Sequence, residues 1–491
     1  MVSSPQFHIP VVRAKRYDGQ VESEGDRAPL IPSKQLLLNC FGKNETFFIR
    51  SYTILGTLGQ RPFIVFHKLN NIPIGKTTSH SSGVKFGIKP NDRRQHMYLI
   101  GQTGTGKSTL LKNMAIRDMR EGHGVCVIDP HGELIEDILN FVPRHRTNEV
   151  VYFNPSDNEN PIGLNILEAR DEDEKQLVAS SLISIFKHLW KDFWGPRLEH
   201  VFHNAILALM DTLNSTLLGV YRMLADDEYR KEIVSHVKDP IVKLFWEKDF
   251  EGYPPQFRKE VASPIQNKIG QLLTNTPLRN IVGQTKSTID LKFIMDNKRI
   301  LLVNLAKGRI GEDKANLLGS VLVTKLYLAA LERQSIPEDE RKDFYLYIDE
   351  FQNFSTDVFP SILSEARKYR LNLILAHQYI HQLSESVRHA VFGNVGTLIC
   401  FRIGNTDAKQ LASEFLPTFD EHDLEQEKNH HIYLKLMIDG KRSLPFSAET
   451  FPPLPHTGDE ANKSTIIQVS RERFASRRDE IESKIEKWIA S

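Results

Sequence analysis

Between His96 and Leu110 the chain reads HMYLIGQTGTGKSTL, and the fixed members of G-x-x-x-x-G-K-[ST] fall on Gly101, Gly106, Lys107 and Ser108. Glycines at these points let the backbone turn tightly, so that successive N–H groups face one anion. Gln102, Thr103, Gly104, Thr105 and Thr109 complete the loop around it. Lys107 reaches β- and γ-phosphates and the Ser108 hydroxyl ligates Mg²⁺, so the chemistry indicated is binding of ATP with its magnesium ion. A helix starting at the loop turns its positive end toward the same phosphates. Hydrolysis needs a second cluster, and Asp343-Phe-Tyr-Leu-Tyr-Ile-Asp-Glu350 supplies one. Asp349 can hold the hydrated Mg²⁺ shared with Ser108, and Glu350 can take a proton from the attacking water.

These residues need elements to carry them. Met97 to Ile100 is a short apolar run suited to a buried strand, and Leu110, Leu111, Met114, Ala115 and Met119 follow at helical spacing up to Gly122. Gly124 to Glu133 reads as a second buried strand ending in polar residues. Ligands of open parallel sheets sit beyond the carboxyl ends of strands, which places Asp129, His131 and Glu133 near the phosphates. The alternative is that they cap the next helix, Glu133 to Asn140. Val150 to Phe153 is a third strand, and Arg299 to Leu305 and Leu371 to Ala376 continue the sheet. Gln378, at the end of the last of these, can touch the γ-phosphate or the lytic water. Arg367, in the helix Ser364–Arg370, either offers a guanidinium to a neighbouring subunit's phosphate or belongs to a solvated basic helix. Lys307-Gly308-Arg309 follows the strand ending at Leu305 as a glycine loop, either a contact for DNA backbone or a solvated turn.

The 491 residues carry a net charge of +1, a balance compatible with a local nucleic-acid surface but no evidence for one. The cysteines Cys40, Cys126 and Cys400 lie far apart, without C-x-x-C or H-E-x-x-H, so neither a disulfide framework nor a zinc site is expected, and a reducing, cytoplasmic setting is. No run approaches 18 apolar residues and no signal segment opens the chain, so no transmembrane helix is expected. Residues 1–90 read as a β-rich or α+β module with strands at 46–55 and 62–67, ending in a polar linker from Thr77 to Gly83. Residues 91–170 form the first part of an ATPase core. From Asp171 the period turns helical, and 171–285 read as a helical insertion. The core resumes over 286–455, with a hairpin turning at Asp439-Gly440. Residues 456–491 are a linker and an amphipathic helix from about Ser470, with Phe474, Ile481, Ile485, Trp488 and Ile489 on one side.

Five segments in order, GQTGTGKST, VIDPHGEL, YIDEFQNF, LSEARKYRLNLILAHQ and FGNVGTLICFR, resemble the HerA/FtsK superfamily of hexameric ATPases over about residues 85–450. Within it they are most similar to conjugative coupling ATPases of the TraG/TraD type. The resemblance implies a RecA-like α/β P-loop core with a parallel-type central sheet and an all-α insertion. It implies that Arg367 acts in trans, that Gln378 is the sensor, and that the chain forms a homo-hexamer. DNA would be the partner, held by its backbone without sequence preference. Three readings of function follow: a DNA translocase or helicase-type motor; the ATPase scaffold of an anti-phage defence or processing complex, with a nuclease or other effector on the N-terminal module; or a coupling ATPase that brings a protein–DNA substrate to a secretion channel. Membrane coupling proteins usually begin with transmembrane helices, which this sequence is not expected to contain.

Overall fold

A computed structural model of the chain describes residues 71–78 and 83–490. The strands expected at 46–55 and 62–67 lie outside them. Strands β1 (Ile72–Thr77), β2 (Lys85–Ile88), β3 (Met97–Ile100), β4 (Gly124–Asp129), β5 (Val150–Phe153), β6 (Ile300–Asn304), β7 (Phe344–Ile348), β8 (Leu371–His377), β9 (Thr397–Cys400), β10 (His431–Lys435) and β13 (Phe446–Thr450) form one 11-stranded sheet. Its order is β2-β1-β13-β10-β9-β3-β8-β7-β4-β6-β5. From β9 to β5 neighbouring strands run parallel, and from β10 to β2 they run antiparallel.

Every residue of β3 to β9 is buried, because helices cover both faces of the parallel part. Side chains alternate between faces: Met97 and Leu99 join one core, Tyr98 and Ile100 the other. Helix α1 (Lys107–Arg120) follows the loop after β3, and α2 (Glu133–Ile138) follows β4. Helix α3 (Glu312–Leu331) crosses from β6 to β7, and α4 (Phe359–Glu365) precedes β8. With the turn that follows it, α3 is long and apolar enough to cross a membrane, but 78% of its apolar window is buried in the protein. Here it is a core helix, apolar all round because it is covered all round.

Asp171 starts the helical region by accepting a hydrogen bond from Glu174 N at 2.8 Å, an N-cap. Helices then run from Glu172–Leu189 to Thr276–Val282 around a core that includes Phe186, Trp190, Phe202, Phe245, Trp246 and Phe250.

Four expectations are corrected. The boundary at residue 90 falls within the sheet, since β1 pairs with β13, 369 or more residues further along the chain. The Thr77–Gly83 stretch does not separate domains: it connects the antiparallel pair β1 and β2, with Gly83 N donating to Thr77 O at 2.7 Å. Lys307-Gly308-Arg309 is not an open loop but a helical turn, Lys307–Ile310, whose first N–H donates to Pro130 O at 2.8 Å. The tail is two helices, α5 (Lys463–Phe474) and α6 (Arg478–Ala490), because Ala475 leaves the helix to bridge Ile162. Helix α5 covers the edge strand β5, and Ser470 Oγ accepts from Tyr152 N at 2.8 Å. Helix α6 packs on the helical insertion through Ile481 and Ile485 against Leu218, while Ile489 is 61% exposed. The hairpin at Asp439-Gly440 takes positive φ at both residues, joining β11 (Met437–Ile438) to β12 (Lys441–Arg442).

Candidate nucleotide-hydrolysis site

The parallel order decides the site. β8 lies between β3 and β7, so the loop after β3, the acids after β7 and the amide after β8 meet along one edge of the sheet. Gly104 and Gly106 take φ of 77° and 118°, left-handed values that a side chain rarely adopts, and so bend the loop between Gly101 and Lys107. Thr105 Oγ1 donates to Gln102 O at 2.7 Å, which sets the curvature. Lys107 is buried; its Nζ donates to Gly101 O at 2.5 Å and to Gln102 O at 3.0 Å. Burial lowers its pKa, while Glu350 and Asp349 favour its charge.

Ser108 Oγ donates to Asp349 Oδ2 at 3.2 Å. A hydroxyl and a carboxylate at this spacing are hard oxygen donors that fit Mg²⁺ beside a nucleotide. Burial first, then the charges of Glu350 and Asp129, push the Asp349 carboxyl up to about 6. A divalent cation would stabilise its ionised form, so the electrostatics fit the same ion.

Glu350 is 6% exposed and takes φ 48°, a strained left-handed backbone for a residue with a Cβ. Both of its oxygens accept from carboxamides: Oε1 from Gln378 Nε2, and Oε2 from Gln352 Nε2 at 2.9 Å. Thr103 Oγ1 donates to Gln378 Oε1 at 3.0 Å. A chain of hydrogen bonds thus runs from the phosphate loop through Gln378 to the acid and on to Gln352.

Other expected residues take different places. Asp129 is beside the site, close enough for its charge to act on Asp349, but its carboxylate caps α2: Oδ1 accepts from His131 N at 2.8 Å and Oδ2 from Leu134 N at 2.9 Å. Glu133 is exposed in the first turn of α2. Arg367 lies in the 3-10 turn Ala366–Tyr369 rather than within α4, and it is exposed. That turn enters β8 at its amino end, whereas Gln378 leaves at the other, about 20 Å away along the strand. Arg367 therefore cannot reach the phosphates of its own subunit. Lys307 and Arg309 sit past the carboxyl end of β6, on the nucleotide edge.

Three residues at the site escaped the sequence reading. Gln352 sits two positions past the acid, within the quoted YIDEFQNF, and its amide was a readable signal. Arg402 ends FGNVGTLICFR; its carbonyl accepts from Gln102 N at 2.8 Å and its Nε donates to Gln102 Oε1 at 3.4 Å. His430 N donates to Thr105 O at 2.8 Å, and its ring lies where a Cβ on Gly106 would stand. Nothing local to His430 signals that contact.

A family model described as the type IV secretion-system coupling protein DNA-binding domain matches residues 80–433. Among solved structures, the bacterial conjugative coupling protein TrwBdeltaN70 is similar at TM-score 0.56 and 14% identity, covering 79% of this chain and 91% of that one. The plasmid coupling protein TrwB in complex with ADP and Mg²⁺ is similar at TM-score 0.54 and 15% identity, covering 86% and 99%. VirB4 of Thermoanaerobacter pseudethanolicus is similar at TM-score 0.54 and 15% identity, covering 80% and 98%. At these identities the likeness is one of fold. A search of curated protein sequences returns no match.

Proposed function

The chain belongs to the family of type IV secretion-system coupling protein DNA-binding domains, and on that footing we propose that it is an ATP-hydrolysing motor that assembles as a ring and moves DNA. The observation that carries this is the connected set Thr103–Gln378–Glu350 beside Ser108–Asp349. It supports reading the loop as the phosphate site, Ser108 and Asp349 as a magnesium pair, Glu350 as the base and Gln378 as the γ-phosphate sensor. The loop binds the β- and γ-phosphates of ATP, and Ser108 and Asp349 would hold Mg²⁺, which would neutralise phosphate charge. Water attacks the γ-phosphorus, Glu350 takes its proton, and the bond to ADP breaks. Arg367 serves the adjoining subunit's site, which is why a ring is part of the reading. DNA is held through its phosphates, with Lys307 and Arg309 as candidate contacts. Of the three roles the sequence leaves open, family membership favours a coupling motor over an effector scaffold.

The test is ATP turnover with and without single- and double-stranded DNA. Wild type hydrolyses ATP faster with DNA. Lys107→Ala loses nucleotide binding, while Glu350→Gln binds ATP and turns it over at least a hundredfold more slowly, within the usual range for general-base loss, roughly 10²–10⁴. Lys307→Ala with Arg309→Ala weakens DNA affinity and flattens its salt dependence. Turnover indifferent to any DNA, or a Glu350→Gln enzyme at wild-type rate, rejects the motor or its base respectively. An unchanged salt slope rejects the two basic residues as contacts.

A further inference from the structure

Glu350 has two hydrogen-bond donors, and only one belongs to the set the sequence singled out. Gln352 lies in the 3-10 turn Phe351–Asn353, directly after the acid. Phe351 anchors that turn: it is fully buried, stacks on Phe359 at 5.5 Å and meets Tyr98 edge-on at 6.0 Å. Ser355 Oγ donates to Gln352 O at 3.2 Å and closes it. An ionised carboxylate only accepts hydrogen bonds, so each amide must face it with nitrogen. That orientation leaves Gln352 Oε1 buried and without a hydrogen-bond partner among the described residues. One end is given to Glu350 and the other is left unpaired.

We propose that Gln352 is a positioning residue for the hydrolytic base, holding one carboxylate oxygen of Glu350 while Gln378 holds the other. The inference rests on the ATPase reading above. Each carboxylate oxygen has a second lone pair, so an amide on each leaves a site for the proton of the attacking water. Gln378 answers to the phosphate loop through Thr103. Gln352 answers only to its own turn, so it keeps the acid aimed whatever Gln378 does.

Gln352→Leu removes the donor at similar size. Its kcat falls about tenfold, the scale of one hydrogen bond to a charged group, while KM for ATP and affinity for a fluorescent ATP analogue stay within about twofold. In the Glu350→Gln background the same change leaves the residual turnover where it was, since no carboxylate remains to be aimed. Gln352→Asn, with the amide on a shorter arm, falls between leucine and wild type. Should Gln352→Leu fail to fold, Gln352→Asn carries the same comparison in both backgrounds. A Gln352 variant with wild-type kcat, or one that loses as much with Glu350→Gln as without it, overturns the proposal and leaves the ATPase reading intact. A wild-type protein that turns over no ATP under any DNA condition overturns both.

Discussion

His96 shows how much a single buried side chain is asked to do. It takes φ 61° at the entry to β3 and is 1% exposed. Its Nδ1 accepts from Leu373 N at 3.1 Å, so the neutral ring carries its proton on Nε2, which donates to Leu363 O at 3.2 Å. A second proton would break the first bond, and burial, with Arg367 nearby, holds the imidazole down to about 4. The unfolded chain takes that proton near 6.5, so stability from this group is complete above 6.5 and is lost as pH falls toward 4. The loss amounts to about 3 kcal/mol. Asp349 works in the opposite sense, because a carboxyl pushed up to about 6 stabilises the fold below about 4 and loses that contribution as pH rises through 6. Comparing wild type with His96→Gln in denaturant at pH 7 and pH 4 isolates the histidine. Wild type should lose about 3 kcal/mol more than the variant. Equal losses would mean that His96 titrates normally.

At the scale of elements, the turn bearing Arg367 is built to be rigid. Arg333, fully buried, donates from Nη1 to Tyr369 O at 2.7 Å, from Nη2 to Lys342 O at 2.8 Å and from Nε to Asp296 at 2.8 Å. Arg341 Nη1 donates to Lys368 O at 2.6 Å. Two carbonyls of one four-residue turn are therefore held by side chains from the α3–β7 connection. On the proposed action of Arg367 between subunits, a fixed base is an advantage, since any freedom in the turn is entropy lost on every engagement. Arg333→Met leaves these acceptors without donors and should cost about 3 kcal/mol in stability, read as a lower urea midpoint at unchanged slope. Its turnover should fall as well, with ATP binding retained. A stable variant with full turnover would show that the turn holds itself.

The whole molecule sets Arg367 and Glu350 at opposite ends of the same parallel sheet, and this makes the ring testable. A guanidinium near the γ-phosphoryl stabilises the transition state more than bound ATP, so its loss can cost ~10³-fold or more in rate. Arg367→Ala should bind ATP, form rings and fail to hydrolyse. Mixing it with Glu350→Gln subunits should restore activity, because some neighbours then pair an intact Glu350 with an intact Arg367. Hybrid rings verified by native mass measurement but still inactive would argue against action between subunits. An isolated monomer with full activity would dispose of the ring itself.

What the sequence by itself determined is everything encoded within one strand, one loop and one helix. The phosphate loop, the Asp349–Glu350 pair and Gln378 are legible because each depends on residue types at fixed short spacing after an apolar run. The start of the helical region near Asp171 is legible for the same reason, a change of period. Tertiary structure alone decided which of these meet. No local window states that β8 lies between β3 and β7, yet that order puts Gln378 between Thr103 and Glu350. Nor does one state that β1 pairs with β13, that His430 backs the phosphate loop, that Asp129 is occupied with a helix cap, or that Arg367 lies at the opposite end of β8 from Gln378. Strand order and register follow from backbone hydrogen bonds and burial between segments hundreds of residues apart, and such pairings are selected by the assembled core rather than by neighbours in sequence.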